Sequence, residues 1–258
     1  MFAGFNLTDL DDDFISLYSN KGNNIFNESK KHIEKELDSF ILSDGSIDGT
    51  RLQEDWFPQL ETDIFLSHSH GDKNKAIALA GWLNDTFGLR VFIDSCVWGY
   101  ADNLLKKIDD IYCKNTHSNT YSYEKRNFST SHVHMMLSGA LTKMMDKTEC
   151  LIFLNTPESI ETNEVINQTK SPWIFHEIAT THVLRKKEPN RFTLIKKGYY
   201  FENAQVLTVK HKLDLDHLFE IDKNDLLEWQ KAFNIKEDSH ALDILYEKHK
   251  LIDIHVSI

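Results

Sequence analysis

Five short apolar runs, each too short to fill a helix and bounded by polar residues, constrain this chain more than any other feature. They are Ile64-Phe65-Leu66, Val91-Phe92-Ile93, Leu151-Ile152-Phe153-Leu154, Phe192-Thr193-Leu194-Ile195 and the weaker Val206-Leu207-Thr208-Val209. A strand with one wet face alternates apolar and polar residues, so unbroken Ile, Val, Leu and Phe predict strands covered on both faces. Between most of the runs lie segments of helical spacing. Residues 75–85 bring Ile77, Ala80, Gly81 and Leu83 to one side; residues 133–145 do the same with Met136, Leu137, Ala140, Leu141 and Met144; residues 173–185 follow the third run. Strand and helix in alternation predict an α/β fold, a parallel sheet with helices on both faces.

The ends of the chain read differently. Leu7, Leu10, Phe14, Leu17 and Tyr18 recur at three and four, as do Ile33, Leu37, Phe40 and Ile41, which predicts two amphipathic helices within residues 1–61. The second would start after Asn27 or Ser29 and stop at Ser43-Asp44-Gly45, followed by a linker with Trp56, Phe57 and Pro58. Residues 199–258 are helical again around Leu226, Leu227, Trp229, Phe233, Leu242, Leu245 and Tyr246. Ile252, Ile254, Val256 and Ile258 then alternate as an edge strand would, free to pair within the chain or between copies.

Composition narrows the functional classes. With its glycines added to a hydrophobic share of 41%, the chain falls among ordinary globular domains, and 10 Gly with 4 Pro exclude collagen-like or low-complexity structure. No apolar run is long enough to span a bilayer, and an acidic, weakly apolar start predicts no export signal, hence a cytoplasmic protein without a membrane partner. A net charge of -11, from 29 basic and 40 acidic residues, opposes non-specific binding to nucleic acid. Cys96, Cys113 and Cys150, without CxxC spacing, predict reduced thiols.

In an open parallel sheet a ligand binds beyond the carboxyl ends of the strands, where the strand order reverses. After the first run comes Ser67-His68-Ser69-His70-Gly71-Asp72-Lys73, a polar turn entering a helix, which either receives an anion or is simply capped by Ser69 or Asp72. After the third run, Ser171 is a natural N-cap and Pro172 suits the first helical position. Trp173 and Glu177 then share a helix face, placed either to meet a polar organic substrate or as a surface glutamate over a core tryptophan. His68-x-His70 and His132-x-His134 lack the spacing and companion ligands of a metal site, so no metal is predicted. Ser67, His68 and Asp72 lie too close together for a hydrolase triad and lack a GxSxG elbow.

The order of these residues resembles the Toll/interleukin-1 receptor (TIR) domain family over residues 62–198. Asp63-Ile64-Phe65-Leu66-Ser67 looks like the family's first strand, Leu89-Arg90-Val91-Phe92-Ile93-Asp94 its second, and residues 150–157 its third strand and exit. Trp173 and Glu177 match a Trp-x-x-x-Glu pattern that carries the catalytic glutamate of TIR enzymes. The resemblance implies a flavodoxin-like three-layer sandwich with a five-stranded parallel sheet of order 2-1-3-4-5, flanked by helical extensions at residues 1–61 and 199–258. It implies an NAD glycohydrolase or cyclase with NAD as substrate and no separate cofactor, serving bacterial antiphage defence by signal production or NAD depletion. The alternative within the family is a non-catalytic scaffold acting by homotypic assembly.

Glu177 is then the expected catalytic residue. Trp173, Ser67 and His68 line the substrate, and Trp98 and Tyr100 stack on it from the loop of residues 94–100. That loop also serves self-association in the family, and a downstream effector sensing a nucleotide product is the other implied partner. Two departures stand out. Residues 101–130 form a longer segment than usual, and the loop lacks the proline of receptor members. One carboxylate suffices for this chemistry because the pyridinium of NAD leaves as neutral nicotinamide without a general acid.

Overall fold

The computed structural model describes residues 1–30, 37–116, 118–163, 166–169, 171–191, 211–236 and 239–252. In chain order the strands are β1 (Ala3–Leu7), β2 (Ile64–Ser67), β3 (Val91–Ile93), β4 (Cys150–Leu154), β5 (Glu161–Asn163), β6 (Ile166–Thr169), β7 (His211–Lys212) and β8 (Phe219–Ile221). The helices are α1 (Asp12–Ser16), α2 (Ser19–Lys30), α3 (Gly49–Trp56), α4 (Lys73–Phe87), α5 (Ser95–Ile108), α6 (Tyr123–Lys147), α7 (Pro172–Val183), α8 (Lys223–Ile235) and α9 (Ala241–Lys248). Single 3-10 turns occupy Leu37–Phe40 and His70–Asp72, and α5 runs on into a π turn at Asp109–Cys113.

A five-stranded sheet in the order β3-β2-β4-β1-β8, parallel throughout, divides two apolar cores. Alternate residues of each strand serve opposite faces. Ile64, Leu66, Val91, Ile93, Ile152 and Leu154 join α4, α8 and α9 on one side. Phe65, Phe92, Leu151 and Phe153 join α3, α5, α6 and α7 on the other. Both faces are dry, which is why these strands read as unbroken apolar runs. The fold is thus an α/β sandwich of flavodoxin-like type.

The strand order departs from 2-1-3-4-5 beyond the third position. The first three apolar runs stand in the expected order as β3-β2-β4, but the next two places are held by β1 and β8, from segments read as helical extensions. The boundaries at 61/62 and 198/199 therefore do not separate the sheet. Leu7 and Leu10 fitted a helical period by chance of spacing: β1 ends at Leu7, and Leu17 of the same pattern is 85% exposed. Gly4 lets β1 pack closely, since a Cβ there would lie 2.6 Å from Leu218 Cδ2. The runs at 192–195 and 206–209, and the tail from 253 onward, lie outside the described residues.

Other differences are local. Of the second N-terminal pattern, Leu37–Phe40 is a 3-10 turn and residues 31–36 lie outside the described residues, while α2 runs across Asn27 and Ser29, where that helix was expected to start. The supposed linker contains α3, capped by Asp48 accepting from the Arg51 N–H. The expected loop after β3 is the first turns of α5, and the connection from β4 to α7 carries an antiparallel pair, β5 and β6, with β7 beside it. Gly45 does take the left-handed conformation, at φ 83°. No helix among the described residues is long and apolar enough to cross a membrane. Cys113 and Cys150 are buried free thiols.

Candidate active site

The chain leaves β2 for α4 on one face of the sheet and leaves the adjacent β4 for α7 on the other. That divergence opens a crevice at the carboxyl ends of β2 and β4, where ligands of open α/β sheets bind. Four polar side chains converge there. Ser67 is the last residue of β2, His68 follows it, Asp94 follows β3, and Glu177 comes in from α7. The start of α7 is set as its sequence suggests, with the Ser171 hydroxyl accepting from the Ile174 N–H and Pro172 in the first turn. This places Glu177 in the second turn, facing the sheet.

The Ser67 hydroxyl donates to Glu177 Oε2 at 2.6 Å, joining residues 110 apart in sequence. His68 Nδ1 lies 2.6 Å from Asp94 Oδ1. The Asp94 and Glu177 carboxyl groups lie near enough to act on each other electrostatically. All four residues are fully buried, at 0% exposure. Asp94 sits at the N-cap position of α5, where an aspartate ordinarily accepts from the helix's own N–H groups, yet it makes no capping bond.

Burial dominates the electrostatics. It drives the Glu177 carboxyl well above the ordinary glutamate range, with the Asp94 charge adding to the effect and Ser67 opposing it. Burial likewise raises Asp94 well above the ordinary aspartate range. It depresses His68 to about 4 despite the attraction of Glu177, so the imidazole is neutral at pH 7. The closed site thus favours uncharged partners.

A second polar set ties the two strand exits together. Asp72 Oδ2 accepts from Ser69 Oγ and from Thr156 Oγ1, while Ser159 Oγ accepts from the Thr156 N–H and donates to the Leu154 carbonyl. The turn after β2 is therefore held by a cap and by a cross-link to the β4 exit. Sequence reading proposed the capping and missed the cross-link.

Of the six expected site residues, the structure brings Ser67, His68 and Glu177 together. Trp173 is half-buried and turns to α6, with its ring edge-on to His134 at 5.5 Å. Trp98 and Tyr100 fall in the early turns of α5, and their side chains lie outside the described residues. Asp94 was not anticipated as a site residue. The available signal was an acidic residue closing an apolar strand at the same sheet edge as Ser67.

At the crevice Ser67, His68, Asp94 and Glu177 are closed off from solvent. A surface cleft of about 550 Å³ opens instead at the amino ends of β2 and β3, lined by Lys21, Asn24, Glu28, Thr62 and Arg90, across the sheet from Glu177. Two clusters with metal-ligand chemistry lie elsewhere among the described residues. His182, Asp214 and His217 gather at the end of α7, with Thr181 Oγ1 2.6 Å from His217 Nε2. Glu149, His240 and Asp243 gather near α9, where Arg191 bridges the two carboxylates. Comparison with family models, with curated proteins and with solved structures finds no match to this chain.

Proposed function

We propose that this protein is an NAD-cleaving enzyme of the TIR type, with Glu177 as its catalytic carboxylate. The observation that carries the reading is the delivery of Glu177 by α7 to the Ser67 hydroxyl at the crevice between β2 and β4. In NAD the bond between C1′ of the ribose and the pyridinium nitrogen breaks with its electron pair going to nicotinamide, so the leaving group needs no proton. What the enzyme must supply is negative charge and hydrogen-bond acceptors beside the oxocarbenium-like ribose. An ionised Glu177, oriented through Oε2 by Ser67, does this, and neutral His68 offers a ring nitrogen to a ribose hydroxyl.

Water as acceptor gives ADP-ribose, the adenine of the same molecule a cyclic ADP-ribose, and another nucleophile a conjugate. Because the four residues are fully buried, substrate entry requires the segments leaving the strand ends to part, and self-association is the event the TIR resemblance offers for that. The Trp98 and Tyr100 roles and the antiphage setting belong to the same proposal.

Complete burial of Glu177 favours one second reading: a TIR scaffold in which the carboxyl is a core polar group and assembly is the function. The test is incubation of the protein with NAD over a series of protein concentrations, with Glu177→Gln alongside and products resolved by mass. Nicotinamide release that depends on Glu177 supports the enzyme. Absence of turnover at every concentration, with self-association intact, supports the scaffold.

A further inference from the structure

Two imidazoles and a carboxylate meet where the last turn of α7 adjoins the loop between β7 and β8. One ligand atom from each of His182, Asp214 and His217 lies within 4.8 Å of the others, and the two rings stand with their centroids 3.6 Å apart. The close histidine pairs legible in the sequence are a different set. His182 and Asp214 are 32 residues apart in the chain and meet only in the fold.

Hydrogen bonds fix which nitrogen of each ring stays open. Thr181 Oγ1 donates its one proton to the Ile178 carbonyl at 2.6 Å, so toward His217 Nε2, also at 2.6 Å, it accepts, and that nitrogen carries the hydrogen. His182 Nε2 lies 3.0 Å from the Asp214 carbonyl oxygen, which only accepts, so it carries its hydrogen too. Both rings therefore keep their lone pair on Nδ1. That of His217 is buried and has no hydrogen-bond partner among the described residues. The Asp216 N–H holds Asp214 Oδ1 at 3.2 Å, which leaves Oδ2 as the oxygen to offer.

An imidazole that passes its other N–H to a carbonyl or hydroxyl is oriented as metal-bound histidines are. A buried lone pair without a donor is costly unless an ion or water takes the donor's place. At the Glu149–His240–Asp243 cluster the Arg191 guanidinium already supplies the positive charge, whereas among the described residues no Lys or Arg reaches Asp214. Two imidazoles select a borderline transition ion over magnesium or calcium, which prefer oxygen, and zinc makes the least demand on geometry. Ligand atoms ~2.0–2.2 Å from one ion sit about 3–3.5 Å apart, so modest side-chain rotations close the set.

We propose that His182, His217 and Asp214 form a zinc site, with Nδ1 of each histidine and the Asp214 carboxylate as ligands and water in the fourth position. The ion ties the end of α7 to the loop that enters β8. Glu177 lies in the second turn of the same helix and His182 in its last, so the site stands apart from the catalytic reading and does not depend on it.

The test uses the full chain, freed of metal by a chelator and dialysed, then titrated with zinc in competition with a chromophoric chelator and, separately, with magnesium. The parent takes up one tight equivalent of zinc, which raises its thermal midpoint, and magnesium does neither. His182→Ala and Asp214→Asn, both at exposed positions, lose that equivalent, while His240→Ala in the other cluster keeps it. Thr181→Val touches no ligand but removes the acceptor behind His217, and it binds zinc ~10–100-fold more weakly. Near-UV circular dichroism confirms each fold, and should His182→Ala fail to fold, Asp214→Asn decides. A parent that binds no zinc, zinc retained by folded His182→Ala or Asp214→Asn, or zinc that follows His240 instead overturns the proposal. Unchanged affinity in Thr181→Val overturns the assignment of Nδ1 as the ligand.

Discussion

Gly22 of α2 and Gly81 of α4 face each other where the two helices cross. A Cβ on Gly81 would lie 2.3 Å from the Tyr18 carbonyl oxygen and 2.7 Å from the Gly22 nitrogen, and one on Gly22 would lie 1.8 Å from the Ile77 carbonyl oxygen. Backbone, not a flexible side chain, fills the space. At an exposed helical site Gly→Ala stabilises by about 1 kcal/mol. Here the sign reverses: Gly81→Ala destabilises by about 1–3 kcal/mol through overpacking, seen as a lower urea midpoint at unchanged slope.

The same contact explains part of what the sequence hid. Residues 76–83 are all buried because α4 is covered by the sheet on one side and α2 on the other, so its one-sided stripe understated its burial. Strands β2, β3 and β4 were legible because two-sided burial leaves an unmistakable composition. Strand β1 was not: Gly4 and Asn6 interrupt it, and its Leu7 fell into step with the helical spacing of Leu10 and Phe14. Strand β8 is three residues, Phe219-Glu220-Ile221, with too little pattern to detect. In the candidate site, Ser67 and His68 were legible from their place at a strand end, whereas Glu177 stood out only through the Trp-x-x-x-Glu resemblance, since its spacing alone left a surface role open. The inward turn of Asp94 and the burial of the four site residues depend on contacts far apart in the chain, which local spacing does not encode.

Removing the Ser67 hydroxyl leaves Glu177 Oε2 without its donor in a dry site. Ser67→Ala costs about 1–3 kcal/mol of stability, the usual consequence of an orphaned buried polar group. A double-mutant cycle with Glu177→Gln, read by urea unfolding, gives a coupling of about 0.5–3 kcal/mol. Additivity of the two substitutions would mean that the hydrogen bond does not form. If NAD is cleaved, Glu177→Gln alone lowers turnover by about 10²–10³-fold.

The pH dependence of stability has two arms of opposite sign. His68 and His217 are each depressed by burial to about 4 from an ordinary 6.5, so the folded protein binds fewer protons than the unfolded chain between these values. Their contribution is complete above pH 6.5 and is lost as pH falls toward 4. Asp94 and Glu177, raised by burial, bind more protons when folded. Their contribution is complete below the ordinary carboxylate values of 3.8 and 4.5 and declines as pH rises through the raised ones. The histidine arm thus lowers the unfolding free energy as pH falls from 6.5 toward 4, and the carboxyl arm lowers it as pH rises above the ordinary carboxylate values. His217→Gln reduces the slope of the histidine arm by about one proton, because the neighbouring His182 and the surrounding burial no longer act on a titrating ring.

Arg191 locks the C-terminal helices to the sheet. Its guanidinium reaches Glu149, just before β4, at 2.6 and 2.7 Å, and Asp243 of α9 at 2.7 and 2.9 Å, while Tyr246 of α9 donates to the same Glu149 at 3.0 Å. Fork-shaped pairing of this kind suits arginine and not lysine. Arg191→Ala leaves two carboxylates facing each other beside His240 and costs about 1–3 kcal/mol, the range for hydrogen bonds to charged groups. It also frees a set of ligand atoms that lie within 4.8 Å of one another. Added zinc should then raise the thermal midpoint of Arg191→Ala more than that of the parent, since only a ligand that binds the folded form shifts that midpoint. An equal response of both proteins to zinc would show that Arg191 does not occupy that place.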